Sequence, residues 1–185
     1  MQEHQHVIRV LQQAKQAAER GDIMALKRLS DQTIHAATIY QDTDNVLVAI
    51  LVYALGKLLE RKHVFSHKDF DNYLKYYLKT ITFSQTCIRK DDCNAFRNRI
   101  KDMMNVPGLS REIKSSVKDV FHKARINKAS KVYEHGISME ATARLLGISL
   151  WELAEYTGQT RIADMKLGST VDIPTRIKKA MEIFE

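Results

Sequence analysis

Arg61 and His67 are the side chains of this 185-residue chain whose types come nearest to a reacting pair. A histidine exchanges protons near neutrality, and an arginine stabilises the charge that builds on a phosphorane, so together they could cleave RNA. One Arg–His spacing arises easily by chance, and a solvated polar loop accounts for it. His63 and His67 stand four apart and are followed by Asp69 and Asp71, all types that bind metals. That tract connects helices, which leaves the i, i+4 geometry unassured, and zinc needs three or four protein ligands. Cys87 and Cys93 have the wrong spacing for a zinc knuckle, and two cysteines cannot build a disulfide framework. The patterns GxxxxGK[ST], GxGxxG and GxSxG are missing, so phosphate-loop, dinucleotide and serine-hydrolase chemistry lack their local signatures. The expectation is a protein without catalytic residues, metal or cofactor.

Composition narrows the class. At 44% hydrophobic, the chain can bury one good core, or a core and a small satellite. Seven glycines and two prolines disfavour β-sandwiches and low-complexity disorder. The first ten residues lack the charged start and apolar stretch of a signal peptide. The longest apolar run, Val46 to Gly56, is too short for a bilayer, which needs about 20 residues. These features predict a cytoplasmic protein with no membrane partner. The net charge of +7 is unevenly spread. Residues 61–135 carry 17 basic and 8 acidic side chains, while the flanking regions are each slightly acidic. A polyanion-binding surface belongs in that middle third.

The elements that would position such a surface read as helices. Val7, Val10, Leu11, Ala14 and Ala18 share one face of a first helix that stops at Gly21. Asp22 can cap a second. The third, Val46 to about Glu60, is apolar on nearly all sides and belongs at the centre of a bundle. Ser66 and Asp69 resemble a capping box opening a fourth helix over 67–88. A fifth runs from Asp92 to Met104, and Pro107-Gly108 then marks a boundary. Ser110 introduces a long helix to about Glu134 with Ile113, Val117, Val120, Phe121 and Ala124 on one face. Its apolar phase shifts near Ile126-Asn127, which suggests a kink or boundary. Lys114, Lys118, His122 and Arg125 line another face, joined further along by Lys128 and Lys131.

Residues 136–156 carry the strongest local pattern, that of a helix-turn-helix. Ser138 caps a short helix, Ala143 is small where helices meet, Gly147 permits the turn, and Ile148 plugs it. Ser149 with Glu152 forms a capping box for the next helix. Leu145, Leu146, Leu150 and Leu153 supply the contact between the two. An ordinary αα-hairpin is the plainer reading of the same spacing. Thr157-Gly158 ends the second helix, residues 161–171 are irregular, and Asp172 with Pro174 starts a last one.

Lys128-Ala129, Tyr133, Gly136-Ile137-Ser138, Ala143, Leu146-Gly147-Ile148-Ser149 and Trp151-Glu152-Leu153 resemble small prokaryotic helix-turn-helix proteins of the antitoxin type. The resemblance spans about 30 residues, from Lys128 to roughly Tyr156, and departs from the family at Ala141 and Arg144. It implies a DNA-binding or toxin-neutralising module and a dimer. The arrangement of the whole chain is similar to that of uncharacterised archaeal proteins. The second helix of the motif offers no Arg, Lys, Asn or Gln over 150–157, the types that normally read base edges. It offers Glu152 and Glu155 instead; a glutamate can accept from cytosine N4.

The sequence therefore predicts an all-α protein, with a helical bundle over 1–106. A unit over 109–185 holds the basic helix, the helix-turn-helix and a terminal helix. The leading expectation is a non-enzymatic DNA-binding transcription regulator, antitoxin-like and homodimeric, with double-stranded DNA and a toxin-like protein as partners. Lys114, Lys118, Arg125, Lys128, Lys131 and Arg144 would hold phosphates; Ser149, Trp151, Glu152 and Gln159 would read bases. The alternatives are an adaptor that docks a protein through Trp151 and the acidic helix face, and a ribonuclease using Arg61 and His67.

Overall fold

The structure, a computed structural model, describes residues 4–40 and 42–160. The expected irregular tract and last helix over 161–185 lie outside the described residues. Among the described residues there is no strand. In the described residues eight α-helices follow one another: α1 (His4–Glu19), α2 (Ile23–Tyr40), α3 (Thr43–Glu60), α4 (His67–Arg89), α5 (Cys93–Asp102), α6 (Arg111–Glu134), α7 (Met139–Leu146) and α8 (Leu150–Gln159).

Local chemistry sets the ends of these helices. Gly21, at φ 69°, closes α1 in the left-handed region that favours glycine. Asp22 Oδ1 then accepts from the Ala25 amide at 2.9 Å and starts α2. Asp42, Ser66, Asp92 and Ser110 cap α3, α4, α5 and α6 in the same way. A short 3₁₀ turn, Lys62–Val64, joins α3 to α4, and another, Met103–Asn105, follows α5.

Packing follows from the apolar faces. α3 buries residues around most of its circumference, and α2, α6, α1 and α5 surround it. Some of the polar atoms taken inward are paired, whereas both side-chain amide atoms of Asn45 and the Thr80 hydroxyl find no hydrogen-bond partner among the described residues. Asp44 at the start of α3 is buried, and Arg97 of α5 grips it with two bonds of 2.7 and 2.9 Å. The buried Tyr77 of α4 donates to the Leu51 carbonyl at 2.6 Å. Its ring stands against Tyr73 and Phe121. Pro107-Gly108 forms the turn between α5 and α6. Buried apolar residues on both sides of it, from Val7 to Leu153, belong to one cluster.

Two local expectations need correction. α6 runs unbroken through Ile126-Asn127. The phase shift marks a change of neighbours: beyond it, Asn127 bonds Tyr156 of α8 while Lys128 and His135 reach α2. α8 likewise continues through Gly158 to Gln159. Thr157 is buried there and donates its hydroxyl to the Leu153 carbonyl at 3.0 Å.

Candidate nucleic-acid interface and the adjoining groove

The candidate interface is built on α6, α7 and α8, which pack on one another. Ser138 Oγ accepts from the Ala141 amide at 3.2 Å and starts α7. Gly147 adopts φ 63°, and the Ile148 amide returns to the Ala143 carbonyl at 3.1 Å, closing the turn. The turn holds position 147 in the left-handed conformation, where a side chain would be strained, so glycine is the residue the turn favours. At the start of α8, Ser149 Oγ accepts from the Glu152 amide at 3.1 Å. Glu152 Oε2 accepts in return from the Ser149 amide at 2.8 Å, completing a capping box. Leu153 is fully buried and locks α8 to the body.

The side chains assigned to phosphate separate into three groups. Lys114, Lys118 and Arg125 fall within roughly 40° of one another around α6 at 100° per residue. None of the three makes an ion pair among the described residues, and Lys118 is exposed. Lys131 and Arg144 are partly or fully exposed, yet each is held by its own helix: Lys131 by Glu134 at 2.8 Å and Arg144 by Glu140 at 3.0 Å. Lys128 cannot touch a phosphate. Its side chain is 0% exposed, its Nζ lies 2.7 Å from Asp31 Oδ1 of α2, and it sits 4.4 Å from the centre of the Tyr53 ring. Burial pushes its pKa below the ordinary lysine value, against the opposing pull of Asp31. The assignment fails because the residue lies where the helix turns its inner face toward α2.

The base-reading set also divides. Trp151 is 78% exposed, with Leu150 at 49% beside it; Ala154 and Gly158 continue the outward face of α8. Ser149 and Glu152 are occupied with each other, and the second Glu152 oxygen lies 3.2 Å from His122 Nε2. Its bonds from Ser149 hold the Glu152 carboxyl below the usual range, with His122 adding to the effect. A base contact by either residue would have to displace that network. Gln159 is exposed and donates to Glu155 at 3.3 Å.

Beside this unit, a groove of about 540 Å³ runs between α3, α6 and α8. Tyr53, Lys57, Glu60 and Arg61 form its α3 wall, and Tyr156 faces them from α8. Asp119 bridges Arg61 at 3.1 Å and Lys123 at 3.0 Å. These bonds, Lys123 first, hold its carboxyl below the ordinary range. Lys57 and Glu60 pair at 2.7 Å. Most of the groove's charges are therefore already neutralised by neighbours. Position 53 with 57, 60 and 61 was a readable signal, a polar stripe at helical spacing on an otherwise apolar helix. The His35–His135 contact, Nδ1 to Nε2 at 3.0 Å, had no such signal because the residues are 100 apart in the chain.

The remaining candidates stay apart. Arg61 is engaged with Asp119, His67 opens α4 beyond the 3₁₀ turn, and no bond joins the two among the described residues. No three His, Cys, Asp or Glu side chains among the described residues are grouped so as to share a metal ion. Cys87 is buried and Cys93 half-buried, and neither forms a disulfide. No described helix is long and apolar enough to cross a membrane. No protein-family model, curated protein or solved structure matches the chain.

Proposed function

We propose that the chain is a non-enzymatic DNA-binding regulator that docks on duplex DNA through α6, α7 and α8 as a homodimer. The observation that carries this reading is the α7–Gly147–α8 turn. A left-handed glycine, a reciprocal capping box and the buried Leu153 make a rigid pair of short helices, with α8 presented outward. Lys114, Lys118 and Arg125, which lie on one side of α6 and make no ion pair among the described residues, supply the phosphate contacts; Lys118 is exposed and the other two are half-buried. Trp151 and Leu150 enter the groove as apolar groups, which can meet a thymine methyl but give little hydrogen-bond readout. Affinity then comes mainly from the backbone, and sequence discrimination is modest.

The test is the salt dependence of binding to a duplex oligonucleotide. Lys114→Ala plus Lys118→Ala should weaken binding to every sequence and flatten the log–log salt slope by about 1.8, roughly 0.9 per lost phosphate contact. An unchanged slope removes α6 from the interface. A second reading, a protein-docking adaptor, is favoured by one observation: the exposed Trp151–Leu150 pair is the kind of large apolar anchor that dominates protein interfaces.

A further inference from the structure

The α6–α8 unit uses only part of the basic excess found between residues 61 and 135. A second part lies on the outer face of α4. Asn72, Lys75, Tyr76, Lys79, Phe83 and Thr86 recur there at three- and four-residue spacing, which puts them in one stripe. Two grooves follow this stripe, of about 550 and 420 Å³, and both are lined by Lys75 and Lys79. One is walled by Lys15 and Glu19 of α1, the other by the Val106–Leu109 turn. By trough we mean this pair of grooves, which share Lys75 and Lys79; the stripe it follows, 72–86, is roughly 21 Å long at 1.5 Å per residue.

Its chemistry is cationic and aromatic. Lys75 and Lys79 are exposed, and neither they nor Lys15 makes an ion pair among the described residues; Lys15 donates only to the Thr82 hydroxyl at 3.3 Å. Glu19 is the one acidic side chain lining either groove among the described residues. Arg99 of α5 lies over two rings of the stripe, 4.7 Å from the Tyr76 centroid and 5.4 Å from that of Phe83. Its Nε has no hydrogen-bond partner among the described residues. Phe83 is 43% exposed: with Arg99 over its ring, the rest of the side chain meets solvent beside lysines that make no ion pair among the described residues.

We infer that this trough binds single-stranded nucleic acid, with Lys75, Lys79 and Lys15 along the phosphodiester backbone and Phe83 as a stacking platform for a base. Charge complementarity selects a polyanion, and the ring beside the cations selects one with unstacked bases. That combination of a basic groove and aromatic faces is how sequence-tolerant single-strand binders work. The site is independent of the duplex-binding reading: α4 packs on α1 and α5, whereas α8 packs on α6 and α7.

The experiment is fluorescence anisotropy of the full chain with a labelled 12-mer of oligouridine across a salt series. Wild type should bind. Lys75→Gln plus Lys79→Gln should flatten the salt slope by about 1.4, roughly 0.7 per contact on a single strand. Phe83→Ala should lower affinity about tenfold and leave the slope unchanged, since it removes stacking and no charge. Lys114→Ala plus Lys118→Ala should bind the 12-mer like wild type, which keeps this site's failure separate from that of the duplex interface. The inference is overturned if wild type does not bind the 12-mer at low salt. It is overturned equally if the α4 variants bind as wild type does. Capture of the protein by phosphatidylserine vesicles without any binding of the 12-mer would assign the trough to a lipid surface instead.

Discussion

Lys128 shows how far a residue's type can mislead about its role. Its neighbours in the chain suggest a solvated basic helix, but the side chain is buried against Tyr53 and Asp31. A buried lysine carries a desolvation cost that a single partner offsets only in part. Asp31 is partly exposed, so water can solvate it if the lysine is removed. Lys128→Met should therefore leave stability at pH 7 equal or higher, by up to about 2 kcal/mol, in urea denaturation. The pH dependence has a defined sign. Because the folded pKa of Lys128 lies below the unfolded value, the unfolded chain binds more protons between the two. Stability from this group thus rises with pH across the alkaline window below the ordinary lysine value. The buried Tyr73 and Tyr77, with raised pKa values, pull the opposite way above their usual range, where the folded chain keeps protons the unfolded one loses. Comparing wild type with Lys128→Met isolates the lysine. The difference between them should shrink as pH rises, and a difference independent of pH would contradict a charged, desolvated Lys128.

At the scale of the element, the helices were legible because their determinants are local. A cap acts on amides two or three residues away, so Asp22, Ser66, Ser110, Ser138 and Ser149 could be read without any tertiary knowledge. The apolar periodicity likewise marks α3 as the helix that others surround. Two ends were misread for one reason: Gly158 and the Ile126-Asn127 phase shift are signals that tertiary contacts overrode, through the buried Thr157 and through new neighbours on α2 and α8. The candidate interface was half legible. Gly147 and the Ser149–Glu152 box follow from spacing, but the diversion of Glu152 toward His122 joins helices 30 residues apart, and Lys128 meets an aspartate 97 residues upstream. Ser149→Ala tests the element directly. Losing the capping box should cost about 1 kcal/mol in urea denaturation and speed amide exchange in the first turn of α8. Exchange as slow as wild type would mean that Leu153 alone sets the position of the helix.

For the whole molecule, the basic middle third falls on at least two surfaces, and a third portion is engaged in ion pairs between elements. Arg97, Arg61 and Lys128 hold α5, α3 and α6 to their neighbours through Asp44, Asp119 and Asp31. Lys114, Lys118 and Arg125 on α6, and Lys75 and Lys79 on α4, keep charges without an ion-pair partner among the described residues and can meet a polyanion. The two surfaces are distinguished by their aromatics. On α8, Trp151 stands at the start of an outward helix face, whereas Phe83 lies along a trough beside lysines. The duplex-binding reading depends on the first surface alone. The measurement that tests it most directly is to incubate the purified full chain with sheared DNA of its source genome at physiological salt and to sequence what is retained. Enrichment of DNA over a no-protein control, with loss of that enrichment in Lys114→Ala plus Lys118→Ala, is the predicted result. Failure of the wild-type protein to retain any DNA would contradict the account and leave α8, with its exposed Trp151, as a surface for another protein.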